Sequence, residues 1–93
     1  MRSRSSIRRR QRERRKRDLA RELHLTVGRA FGPHLRKLRT RARISQAALA
    51  GAHRDRSFIA KLESGASLPS LDTLSDLAAT LGVGRKALIP KKL

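Results

Sequence analysis

Apolar positions in this chain cluster toward its C-terminal two-thirds and recur there at helical spacing. Leu35, Leu38 and Ala42 fall on one side of a helix, with Arg36, Lys37, Arg41 and Arg43 around the remainder. This pattern predicts a helix from about Arg29 or Pro33 to about Arg43, with Gly32-Pro33 as its opening, because proline suits a first helical turn. Ser45 is a good N-cap, so a second helix is expected from Gln46 to about His53. A third follows from about Arg56 to Glu63, with Asp55 as a candidate cap and Gly65 as its stop. Within it Phe58, Ile59 and Leu62 lie within about 100° of one another, and Arg56, Ser57, Ala60 and Lys61 take the opposite arc. "ASLPS" reads as a loop, and Ser70 as the cap of a fourth helix. That helix carries the stripe Leu71, Leu74, Leu77, Ala78 and Leu81, and Gly82 ends it. "VGRKALI" suits a short fifth helix before Pro90. No strand pattern and no internal repeat compete, so the expected fold is all-α.

Helices two and three are each too short to be stable alone in water. They need one another and a shared core. Leu49 and Ala50 would face inward from the second, and Phe58, Ile59 and Leu62 from the third. Alanines at 47, 48, 50 and 52 permit a close approach. The outer arc of helix three is then rigidly held, basic and free. A helix-turn-helix presents a recognition helix to the major groove in this way.

Composition sharpens that picture. The 93 residues hold 24 Lys and Arg against 7 acids, a formal +17, which opposes compaction unless an anionic partner is present. Residues 1–24 carry 11 of the cations and 3 of the acids. With only Met1, Ile7, Leu19 and Leu23 as large apolar residues, they cannot bury a face. They read as a basic, flexible N-terminal arm, either a solvated tail or a nucleic-acid-binding arm; a targeting sequence is the weaker reading. Residues 25–93 form the expected domain.

The absence of Cys excludes disulfides and thiolate metal sites. No apolar run approaches the length of a transmembrane helix. His24, His34 and His53 lack metal-ligand spacing and are better read as surface or partly packed residues. His53 and Arg54 are candidates for phosphate contact, and a His53–Asp55 catalytic dyad is much less favoured than an ordinary turn. "GVG" at 82–84 lacks the setting of a phosphate loop. No acid–base pair is indicated, so no enzyme, no metal and no cofactor are expected. With no Tyr or Trp and only Phe31 and Phe58, there is no stacking platform for single strands, which favours duplex DNA.

The stretch "LRKLRTRARISQAALAGAHRDRSFIAKLESGASLPSLDTLSDLAATLGV" resembles the phage-repressor-like (Xre/Cro-type) helix-turn-helix domain. The likeness spans about Val27 to Ile89. Its specific parts are "LRxLR", "SQxxLA", "SFIxKLESG", "PSLDTL" and "LAxxLGV", in that order. The resemblance implies a compact five-helix bundle of the lambda-repressor-like type, binding operator DNA as a two-fold homodimer. It implies a cytoplasmic, nucleoid-associated regulator, bacterial or phage-encoded. By resemblance Arg56, Ser57 and Lys61 occupy base-reading positions. Gln46 opens helix two against phosphate or a base, and Ser45, Ser64 and Ser67 lie near the phosphate backbone. Arg39 and Glu63 match a structural ion pair. One link departs from the pattern: "GAHRDRS" is one residue short, with Arg54 near the usual left-handed glycine, and a shortened helix two is one way to accommodate it.

The leading reading is therefore a sequence-specific duplex-DNA-binding transcriptional regulator, a repressor by resemblance. The alternative is the antitoxin half of a toxin–antitoxin pair, with the N-terminal arm holding the toxin. A non-specific DNA-compacting protein is a third reading. A membrane-surface peptide is disfavoured because the arm lacks an amphipathic stripe. The expected dimer surface is Val83, Leu88 and Ile89, unless those residues close the core.

Overall fold

The computed structural model describes residues 4–92, which contain no β-strand. Four α-helices, α1 (Arg4–Arg41), α2 (Gln46–Ala50), α3 (Arg56–Ser64) and α4 (Leu71–Leu81), precede a single 3-10 turn at Arg85–Leu88. The expected fifth helix is thus one 3-10 turn, and the described part is four α-helices rather than a five-helix bundle. Nor is it compact throughout. Its radius of gyration is 17.6 Å and its long axis 61 Å, against about 12 Å expected for the radius of a compact chain of this length.

The excess length is α1. From Arg4 onward the flexible arm expected over residues 1–24 is replaced by helix continuous with the first core helix; residues 1–3 lie outside the described residues. No break in secondary structure falls at residue 24. The physical reason is that a missing apolar face prevents burial but not helicity. Arg, Gln, Glu, Lys, Leu and Ala are good helix formers, and positions 4–27 hold no Gly or Pro. Pro33, expected at a helix start, lies inside α1 instead. It forgoes one backbone bond, and buried Phe31 and Leu35 on either side hold the helix against the core.

The end of α1 is a Schellman motif. Ile44 N–H donates to the Arg39 carbonyl at 3.3 Å and Arg43 N–H to the Thr40 carbonyl at 3.1 Å, with Arg43 itself at φ 59°. Ser45 then caps α2, accepting from Ala48 N–H. Helix α2 stops at Ala50 rather than near His53. Gly51, at φ 73° and ψ −163°, takes a conformation open essentially to glycine alone. Asp55 caps α3 by accepting from Phe58 N–H at 2.9 Å, and Gly65 ends it in the left-handed region. Ser70 caps α4, and Gly82 closes it.

Phe31, Leu35, Leu49, Ala50, Ile59, Leu62, Leu77, Ala78 and Leu88 form the core, with Leu38, Ile44, Phe58, Leu74, Leu81 and Val83 packed against it. Two expectations are corrected here. Leu88, offered as dimer surface, is fully buried. Leu71, offered as part of the apolar stripe of α4, is 83% exposed, because Thr73 takes the inward position of that first turn. Thr73 is buried in that turn instead, its hydroxyl within 2.9 Å of the Ser70 hydroxyl.

Helix α1 crosses the end of α3 at two glycines. A methyl group on Gly28 would stand 2.7 Å from the Gly65 carbonyl oxygen, and one on Gly32 would collide with the Glu63 carbonyl. The two backbones therefore touch, which fixes the direction of α1 relative to α3.

Candidate nucleic-acid interface

Helix α3 buries Ile59 and Leu62, half-buries Phe58 and Ala60, and leaves Arg56, Ser57 and Lys61 exposed on its other side. The three base-reading candidates thus share one accessible face. The apolar side is clamped from both directions: Gly28 and Gly32 of α1 press on its C-terminal end, and α2 packs against it.

Behind that face runs a chain of polar contacts across three helices. Arg39 in α1 grips Glu63 in α3 with two hydrogen bonds, Nε to Oε2 at 2.7 Å and Nη2 to Oε1 at 3.1 Å. The Arg39 side chain is 13% exposed and that of Glu63 6%. Arg39 Nη1 also donates to the Ile44 carbonyl at 3.0 Å, tying the end of α1 to the start of the helix pair. Hydrogen bonding to Glu63 holds the Arg39 guanidinium above its ordinary pKa, partly offset by burial. Gln46, at the start of α2, donates from Nε2 to Glu63 Oε1 at 3.2 Å. Its Oε1 in turn accepts from Arg56 Nε, also at 3.2 Å. Both ends of the Gln46 amide are therefore engaged within the protein. Arg56 is held through Nε alone, which leaves its two Nη groups without a partner among the described residues.

The remaining candidates divide. Ser45 and Ser64 are exposed and Ser67 half-buried. Ser45 accepts the α2 capping bond, and Ser64 donates to the Lys61 carbonyl at 3.1 Å. His53 is exposed in the link between α2 and α3. Arg54 turns toward α4 instead of outward. Its Nη2 lies 3.1 Å from Asp76 Oδ2 and donates to the Thr73 hydroxyl at 3.4 Å, while its guanidinium sits 5.4 Å from the Phe58 ring centre. Arg54 is not at positive φ; Gly51 takes the left-handed turn that the resemblance looked for nearer Arg54. The short link is accommodated by ending α2 after five residues.

Reading the sequence missed the glycine crossing. Gly28 and Gly32 are spaced by four, so they share a helix face, and that spacing was the available signal. Among the described residues no group of His, Asp or Glu could hold a metal ion, and no helix is long and apolar enough to cross a membrane.

A family model described as a helix-turn-helix domain matches residues 30–88. A solved structure, the restriction-modification controller protein C.AhdI from Aeromonas hydrophila, matches with a TM-score of 0.67 and 34% sequence identity. The match covers 71% of this chain and 97% of that one. No curated protein matches.

Proposed function

The chain belongs to the helix-turn-helix domain family, in its phage-repressor-like form, and is a DNA-binding transcription regulator; on that premise we propose that it reads a specific operator by placing α3 in the major groove. The observation that carries this reading is the exposed face of Arg56, Ser57 and Lys61 on a helix clamped along its other side. Arg56 is the principal reader. Its Nη groups form a fork suited to the O6 and N7 atoms of guanine, a contact worth about 1–3 kcal/mol of discrimination. Gln46 acts as a positioning residue for Arg56, because both ends of its amide are already held. Ser45, His53, Ser64 and Ser67 flank this face and supply backbone contacts that set register. Arg54 holds the link to α4 rather than reaching phosphate.

One domain covers few base pairs, and a second copy doubles the site. The surface proposed for pairing is the open groove of Leu71, Leu74 and Ile89, where Leu71 and Ile89 are the most exposed large apolar side chains of the described part of residues 25–93. Repression follows where the operator overlaps a promoter. The neighbour's description as a controller protein supports a regulatory role of this kind. The antitoxin reading would need the N-terminal helix to bury a face against a toxin. Between positions 4 and 24 that helix offers only Ile7, Leu19 and Leu23 as large apolar side chains.

The test compares the site preferences of the wild type and Arg56→Ala by selection from random duplexes. The variant should lose preference at one base pair per half-site while retaining the others. Equal weakening on every sequence would refute base reading by Arg56.

A further inference from the structure

We infer that the projecting half of α1, residues 4–24, is a second duplex-binding element that lies along phosphates flanking the base pairs addressed by α3. The inference rests on α3 docking in the major groove and adds a contact surface outside the residues the family model matches, which begin at 30.

Three observations carry it. The first is charge: ten Lys and Arg stand against three acids between positions 4 and 24, and every one of the ten is exposed. These cations surround the helix rather than lining one side, so no apolar face is left to lie on a lipid surface or pack on a protein.

The second is self-repulsion. Arg4–Arg8, Arg8–Arg12, Arg10–Arg14, Arg12–Lys16 and Arg17–Arg21 are like-charge neighbours four residues apart, a spacing that destabilises a helix. The first turn holds no acid to balance the helix dipole. The ion pair of Arg9 with Glu13, at 3.5 Å and largely exposed, offsets little of this. A line of phosphates relieves all of these repulsions together. A second copy of the chain, itself at +17, would add to them.

The third is attachment. The contacts of Gly28 with Gly65 and of Gly32 with Glu63 join α1 rigidly to the C-terminal end of α3. The projecting part therefore holds a fixed direction once α3 is docked. At about 1.5 Å per residue it reaches about 30 Å, roughly nine base pairs at about 3.4 Å per phosphate along one strand.

The experiment uses the full chain and a variant carrying Arg8→Gln, Arg10→Gln, Arg12→Gln, Arg14→Gln and Arg15→Gln, since glutamine keeps the helix propensity. Circular dichroism should show the variant at least as helical as the wild type, since its like-charge pairs are reduced. Affinity is measured across a salt series on two duplexes, one carrying the selected site with about ten base pairs on each side and one trimmed to the site. On the long duplex the variant should lose about 2–4 units of log–log salt slope, at about 0.9 per phosphate contact. On the trimmed duplex the two proteins should bind within about twofold of each other. An equal loss on both duplexes would reduce the arginines to a general attractive field and overturn the inference. No loss on either would leave the helix in solvent or held by an acidic protein, and would overturn it too. If instead the wild type prefers no sequence, the reading of α3 fails and the flanking placement fails with it, a result told apart from the two above by the absence of any selected site.

Discussion

Arg43 sits at φ 59° in the left-handed position of a Schellman motif, a place glycine usually takes. That conformation costs a side-chain-bearing residue about 1–2 kcal/mol. Arg43→Gly should therefore raise stability by about 0.5–1 kcal/mol after glycine's extra unfolded-state entropy is subtracted; a urea midpoint that falls would contradict the assignment. Gly32 makes the opposite case. Alanine is normally better than glycine in a helix, by about 1 kcal/mol, yet at 32 its methyl would strike the Glu63 carbonyl. Gly32→Ala should destabilise by about 1–3 kcal/mol. Gly84→Ala, into open space at negative φ, should be neutral or stabilising by under about 1 kcal/mol. Thermal melts of the two alanine variants should shift in opposite directions or differ by several degrees.

At the scale of elements, the sequence made α3 and the face it shows legible. The helical spacing of Phe58, Ile59 and Leu62, bounded by Asp55 and Gly65, is a local signal, and both caps form the bonds their chemistry suggests. The extent of α1 was not legible, because burial and helicity were read as one property. The end of α2 was obscured because Gly51, not the following link, supplies the turn. The orientation of Arg54 depends on Asp76 and Thr73, about twenty residues away in sequence, and no local pattern announces it. The ion pair of Arg39 and Glu63 joins α1 to α3 and, through Gln46, α2. Removing one partner of so buried a pair costs about 3–5 kcal/mol, so Glu63→Ala should lower the denaturation midpoint far more than Asp76→Ala, whose side chain is 60% exposed. Because the Arg39 pKa is raised on folding, its contribution is complete below the unfolded value and fades only as pH climbs past the folded one. On the Arg39 side the pair's effect is thus flat across neutral pH. Gln46→Ala should relax specificity at the same base pair as Arg56→Ala, by a smaller factor. The double variant should lose less than the sum of the two, measured as a mutant cycle.

The whole molecule pairs a core, nine buried apolar residues among those described, with a long cationic helix and an overall charge of +17. Affinity for any duplex is therefore expected to fall steeply with salt, and on the proposed reading sequence preference is added by the small face of α3. Pairing of two copies should set the symmetry of the site. Leu71→Glu with Ile89→Glu, both on the surface, should leave helicity intact while sedimentation shows a monomer and operator affinity falls at least tenfold. Selection of binding sites from random duplexes by the wild-type protein tests the central claim most directly. Enrichment of a two-fold symmetric site, with half-sites about one helical turn apart, is the predicted result. A pool that stays random after repeated rounds at moderate salt would contradict it.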